Sequence, residues 1–172
     1  MGGLLSSYFG RFTQALNIIG TVLILIMAVA VNADVIGRNA FNNPIAGVLE
    51  FIGLSIVAVV FLQMANTLRE DRHVSNDVFI RLIAVARPRV AAAFYSAFSF
   101  IGAVLMLTIV IYVWPIMREN YEGGYYAGTA EVIEIPIWPF MAIIVLGAAT
   151  TVIQFVIDAW RNFMRACRRQ PA

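Results

Sequence analysis

The stretch VAAAFYSAFSFIGAVLMLTIVIYVWPIM, residues 90–117, decides how this chain folds. It runs for 28 residues without a charged side chain. A helix needs about 20 mostly apolar residues to cross the hydrocarbon core of a bilayer. The run lacks the period-2 alternation of a barrel strand, so a membrane-spanning helix is the reading. Its surplus length allows tilt, or extension beyond the core at one end.

Three further runs of the same kind flank it, at about 15–36, 48–68 and 135–157. The composition agrees. The 172 residues are 61% hydrophobic and only 13% charged, against roughly 45–50% and about 25% in a soluble domain. That excludes a water-soluble globule, a disordered chain and a disulfide scaffold. A single cysteine, Cys167, excludes an intrachain disulfide or a cysteine-based metal cluster. The expected fold is therefore an all-α membrane protein, a single four-helix transmembrane domain over 1–172. The stretch from Ile18 to Val31, with Ala28, Ala30 and Ala33 after it or within it, also resembles a signal-peptide core. Only Arg11 precedes it, so it is read as a retained span.

Orientation follows from the arginines, since lysine is absent. Arg11 precedes the first span. Arg69, Arg72, Arg81, Arg87 and Arg89 lie between the second and third. Arg161, Arg165, Arg168 and Arg169 follow the fourth. Only Arg38 and Arg118 fall on the other side, together with Glu119, Glu122, Glu131 and Glu134. Both termini and the middle loop are thus expected in the cytoplasm. The arginines after span four read as a membrane anchor. No soluble domain accompanies them, and no nucleic-acid partner is expected.

Two segments read as helices lying on the membrane. In residues 1–14, Leu5, Tyr8, Phe9 and Phe12 recur at helical spacing, predicting a short surface helix that leads into span one. In residues 77–87, Val78, Phe79, Leu82, Ile83 and Ala86 share one broad face, Asp77 and Arg81 form an i,i+4 pair, and Pro88 interrupts the pattern.

Ionisable groups within membrane segments are expensive and so are candidates for function. Asp34 and Arg38 lie four residues apart at the outer end of span one, and Glu50 enters span two beyond Asn42-Asn43-Pro44. They are expected to form a salt-bridge network joining the two spans. Partner contact and proton coupling are the functional alternatives. Gln63 and Asn66, deeper in span two, are expected to bond neighbouring helices. Small residues in span three (Ala91, Ala92, Ala93, Ser96, Ala97, Ser99) and at Gly147-Ala148-Ala149 permit close helix approach.

Several kinds of machinery are missing. The lone histidine, His73, cannot supply two axial haem ligands. No phosphate-binding glycine loop or nucleophile elbow occurs, and no Pro/Gly pair breaks a span to build an ion site. No enzyme activity and no cofactor are expected.

The order of features resembles one family. Arg38 follows span one, Glu50 opens span two, Arg69…His73-Val74…Asp77 fits the form H-[IV]-x-x-D, and Ile135-Pro136-Ile137-Trp138 opens span four. In this the chain resembles the small, DctQ-like membrane subunit of the tripartite ATP-independent periplasmic (TRAP) transporters, over nearly its whole length. Many members carry Trp just before the span-two glutamate, where this chain has Ala46-Gly47-Val48-Leu49. The resemblance implies a bacterial inner-membrane scaffold, separate in chain from a large multi-span subunit that holds the solute and sodium sites. It also implies docking of a periplasmic solute-binding protein during sodium-driven uptake of organic anions such as carboxylates. On this reading Asp34, Arg38, Glu50, Gln63, Asn66, His73, Asp77, Pro136 and Trp138 are structural or subunit-interface residues. The alternatives are a self-assembling proton-coupled exporter using Glu50, and an anchor subunit of a membrane redox complex.

Overall fold

The computed structural model describes residues 2–69, 88–128 and 134–167. Four long helices dominate it: α1 (Gly2–Phe41), α2 (Val48–Arg69), α3 (Pro88–Glu122) and α4 (Trp138–Cys167). Each contains a stretch long and apolar enough to cross a membrane. Between α3 and α4 two short strands, β1 (Tyr126–Ala127) and β2 (Ile135–Pro136), pair antiparallel, with Tyr126 opposite Pro136 and Ala127 opposite Ile135.

The helices outrun the apolar stretches that announce them. α1 shows no break between the amphipathic residues and the span, so the surface helix expected over 1–14 is not a separate element. The reason is local. Residues 2–14 contain no proline, and the buried positions Gly10, Thr13, Leu16 and Gly20 already hold the spacing that faces α2. α3 continues through Pro115 to Glu122. Two of its last carbonyls are satisfied by the turn that follows: the Gly123 amide donates to Glu119 at 2.8 Å and the Tyr125 amide to Asn120 at 3.2 Å. Ile135 and Pro136, expected inside span four, form β2 instead. Proline has no amide to give a ladder, and a two-residue edge strand tolerates it. The helix expected over 77–87 lies outside the described residues.

The helices pack in the order α1–α2–α4–α3, in an open row. α1 and α2 run antiparallel, α2 and α4 parallel, α4 and α3 antiparallel. The registers show this directly. Gly10 lies against Arg69 and Gly20 against Gln63. Phe51 stacks edge-on with Phe140 at 6.2 Å, and Phe61 meets Gly147 farther along the same two helices. Ser96 donates to the Ala159 carbonyl at 3.2 Å, Gly102 faces Phe155, and Tyr121 lies edge-on to Trp138 at 5.4 Å. The central pair has a third of its most apolar window buried, whereas α1 has 11% and α3 has 6%. Ile18, Leu25 and Val29 on α1, and Phe98, Phe100 and Ile111 on α3, are exposed as expected for flanks in lipid.

Polar and aromatic residues mark two planes across this row. Trp138 and Trp160 on α4 are about 33 Å apart at the rise of an α-helix, Glu50 and Arg69 on α2 about 29 Å, and Arg11 and Asp34 on α1 about 35 Å. A hydrocarbon core of about 30 Å fits between them. The connection 42–47 and the strand pair lie at one end, the hairpin end. The described ends of α1 and α4 nearest the chain termini lie at the other, the termini end.

At Gly147 the backbones of α2 and α4 approach closely. A Cβ on Gly147 would collide with the backbone carbonyl of Phe61. By contrast, nothing lies within 4 Å of a Cβ built on Gly53. Gly147→Val is expected to cost about 1–3 kcal/mol of stability through overpacking, whereas Gly53→Ala is expected to be neutral or slightly stabilising. Thermal unfolding of the two variants in one detergent checks the contrast.

Candidate functional site

At the hairpin end the chain reverses within six residues. Asn42 takes a positive φ of 51°, ending α1, and the Asn43 amide donates back to the Gly37 carbonyl at 3.0 Å. Gly37 is needed because a Cβ there would press on the Asn43 carbonyl oxygen. The returning loop brings the Ile45 amide to Asp34 Oδ1 at 2.8 Å. The other carboxylate oxygen of Asp34 accepts from Arg38 Nη2 at 2.9 Å. The Asp34 side chain is only 10% exposed and that of Arg38 is 58% exposed, so the carboxylate is the structural member and the guanidinium its solvent-facing partner.

Glu50 does not enter this arrangement. It sits half-buried in the first turn of α2, where the helix dipole favours a negative charge. Among the described residues it has no ion pair and no side-chain hydrogen bond. The three-residue network anticipated from sequence is thus an Asp34–Arg38 pair closed by a loop amide.

Down the α1–α2 seam, Gln63 Nε2 reaches Thr21 Oγ1 at 3.4 Å, a long and weak hydrogen bond. Gly20 makes the approach possible, since a Cβ there would crowd Gln63. Asn66 is buried and engaged. At the termini end Arg69 Nη1 donates to the Gly10 carbonyl at 2.9 Å.

The α2–α4 seam holds polar groups that the sequence reading passed over. Thr150 and Thr151 are buried and return their hydroxyls to the Leu146 and Gly147 carbonyls at 2.7 and 2.8 Å. Gln154 is buried and donates to Asp158 at 3.0 Å. The i,i+4 spacing of Gln154 and Asp158 was the available signal. Asp158 falls one residue past the expected end of span four and so escaped attention. Ser55 is fully buried, and among the described residues its hydroxyl has no hydrogen-bond partner.

Pro136 lies in β2, and Trp138 begins α4 against Tyr121. The Ile137 amide donates to the Tyr125 carbonyl at 3.4 Å, extending the strand pair, and the Tyr125 amide donates to the Asn120 carbonyl at 3.2 Å, fastening it to the end of α3. His73 and Asp77 lie outside the described residues. Among the described residues no group of three His, Cys, Asp or Glu side chains could hold a metal ion. The polar groups are used to join helices and close turns.

A family model described as "Tripartite ATP-independent periplasmic transporters, DctQ component" matches residues 27–165. No curated protein and no solved structure matches the chain.

The geometry separates the roles of the first pair. Asp34→Ala strands the Ile45 amide and is expected to cost about 1–3 kcal/mol. Arg38→Ala is expected to cost less than about 1 kcal/mol, as for an exposed ion pair. Asp34→Asn, which keeps an acceptor for Ile45, should fall between them. Thermal melts of the three variants give the ranking.

Proposed function

The chain belongs to the family of the DctQ component of tripartite ATP-independent periplasmic transporters, and from that premise we propose that it serves as the static wall beside the large membrane subunit. Members of this family are small permease subunits of a transporter and not enzymes. The observation that carries the reading is the match over residues 27–165, from the middle of α1 to near the end of α4. The open row of helices supports it. Among the described residues each helix packs mainly on its neighbour in the row, and much of the apolar surface is left exposed for lipid or a larger membrane partner.

In the proposed arrangement the termini end faces the cytoplasm of a bacterium whose inner membrane holds the chain. The distribution of arginines supports that orientation. The hairpin end, with Glu119, Glu122 and Glu134, then faces the periplasm and helps dock the solute-binding protein. The large subunit carries the solute and the coupling sodium ions. The transported class is organic anions, carboxylates among them. The row is anchored by interfacial side chains at both planes while the large subunit moves against it. A fixed wall of this kind needs close seams between its own helices, and Gly147, Gly102 and Gly20 provide them.

Deleting this chain while retaining the large subunit and the binding protein is expected to abolish sodium-dependent solute uptake in cells. Undiminished uptake would overturn the proposal. Orientation is checked separately in a Cys167→Ser background. A membrane-impermeant maleimide added to the periplasmic side should label Glu134→Cys and leave Arg81→Cys unlabelled. The reverse pattern would invert the proposed topology.

A further inference from the structure

Arg69 presents a feature that neither helix packing nor the family explains. Its guanidinium lies across Gly10 of α1. Nη1 donates to the Gly10 carbonyl at 2.9 Å, and the remaining guanidinium atoms fill the space that a Cβ on residue 10 would need. The same carbonyl accepts from the Thr13 hydroxyl at 3.0 Å. A shared neutral carbonyl holds the guanidinium in place without neutralising it. Arg69 is exposed, and among the described residues no carboxylate pairs with it. A guanidinium carries five N–H donors in a fixed plane. One is committed to Gly10, so the group is an oriented cation with donors to spare.

Its depth matters. Arg69 ends the apolar run of α2, in the plane where lipid headgroups begin. The next α1 residue after Gly10 is Arg11, exposed and also without an acidic partner among the described residues. Below Arg11, one exposed stripe of α1 continues through Ala15, Ile18, Val22, Leu25 and Val29 at alternating spacings of four and three. A cationic head therefore sits above an apolar track running toward the far side of the bilayer.

We propose that Arg69 and Arg11 form a binding site for the phosphate of an anionic phospholipid, with an acyl chain lying along the Arg11–Val29 stripe of α1. Oxygen atoms of a phosphate match the planar donors of a guanidinium, and such pairs are charge-assisted. The stripe points to a lipid rather than a free phosphate as the source, because a soluble anion gains nothing from it. The site requires only that the chain spans a bilayer, so it stands independently of the transport role.

The test uses the full chain in detergent, with phosphatidylglycerol or phosphatidylcholine as the probe and native mass spectrometry as the readout. Wild type is expected to retain phosphatidylglycerol in preference to phosphatidylcholine. Arg11→Gln, whose side chain ties no helices together among the described residues, is expected to weaken that retention about five-fold, the effect of one basic residue at an anionic surface. Arg69→Gln should do the same, and Gly10→Ala should weaken it with both charges kept, because it displaces the guanidinium. Far-UV circular dichroism of each variant separates lost binding from lost folding. Equal retention of the two lipids by wild type, or unchanged phosphatidylglycerol retention in a folded Arg11→Gln variant, would overturn the proposal. Displacement of phosphatidylglycerol by excess inorganic phosphate would overturn the lipid as the source, in favour of a soluble anion.

Discussion

Hydrocarbon offers no hydrogen-bond partners, and that constraint organises what this chain does with its polar residues. Thr21, Asn32, Thr108, Thr150 and Thr151 return their donors to carbonyls four residues earlier on their own helices. Gln63 and Ser96 reach across to neighbouring helices. Asp34 uses one oxygen on its own helix and the other on the loop that turns the chain back. A polar group in lipid costs several kcal/mol when unmet, so these bonds are conditions for insertion as much as sources of stability. The Ser55 hydroxyl is one point at which the described residues depart from the pattern.

The same solvent removes the usual force that closes a bundle. Lipid tails are as apolar as leucine, so burying Ile18 against Phe98 would gain little over leaving each in lipid. Close packing then decides which helices meet. Gly147 lets α4 touch the backbone of α2, Gly102 receives the ring of Phe155, and Gly20 receives Gln63. The product is a row rather than a ring, with α1 and α3 left as flanks. Such a row leaves much of the apolar surface of the described helices open to lipid or to a larger membrane partner.

The two ends of the row differ in chemistry. At the hairpin end, an acid and a base are paired within α1, and Arg118 and Glu122 are paired within α3. At the termini end, Arg69 is held by a carbonyl instead. Among the described residues, the hairpin end leaves Glu50 without an ion pair, and the termini end leaves Arg11 and Arg69 without a carboxylate partner. The unmatched charge is of opposite sign at the two ends, as the distribution of arginines along the sequence implies.

The four apolar helices were legible in the amino-acid sequence because hydrocarbon thickness sets a minimum apolar length, although α3 runs on to Glu122, past the apolar run that announced it. The Asp34–Arg38 pair was legible too, since four residues is one turn. The Ile45 amide on Asp34 was not, because it depends on a reversal at Asn42 that brings together groups eleven residues apart. Nor was the break after Pro136, where an apolar composition concealed a strand pair. Helix order was beyond reach of sequence, because four apolar surfaces facing lipid carry no label for their neighbours. The helix neighbours were decided by tertiary structure, through individual glycines that admit a backbone or a side chain of the adjacent helix. The same holds for Arg69: charge counting treats all twelve arginines alike, and only the packing of α1 on α2 lays this one across Gly10.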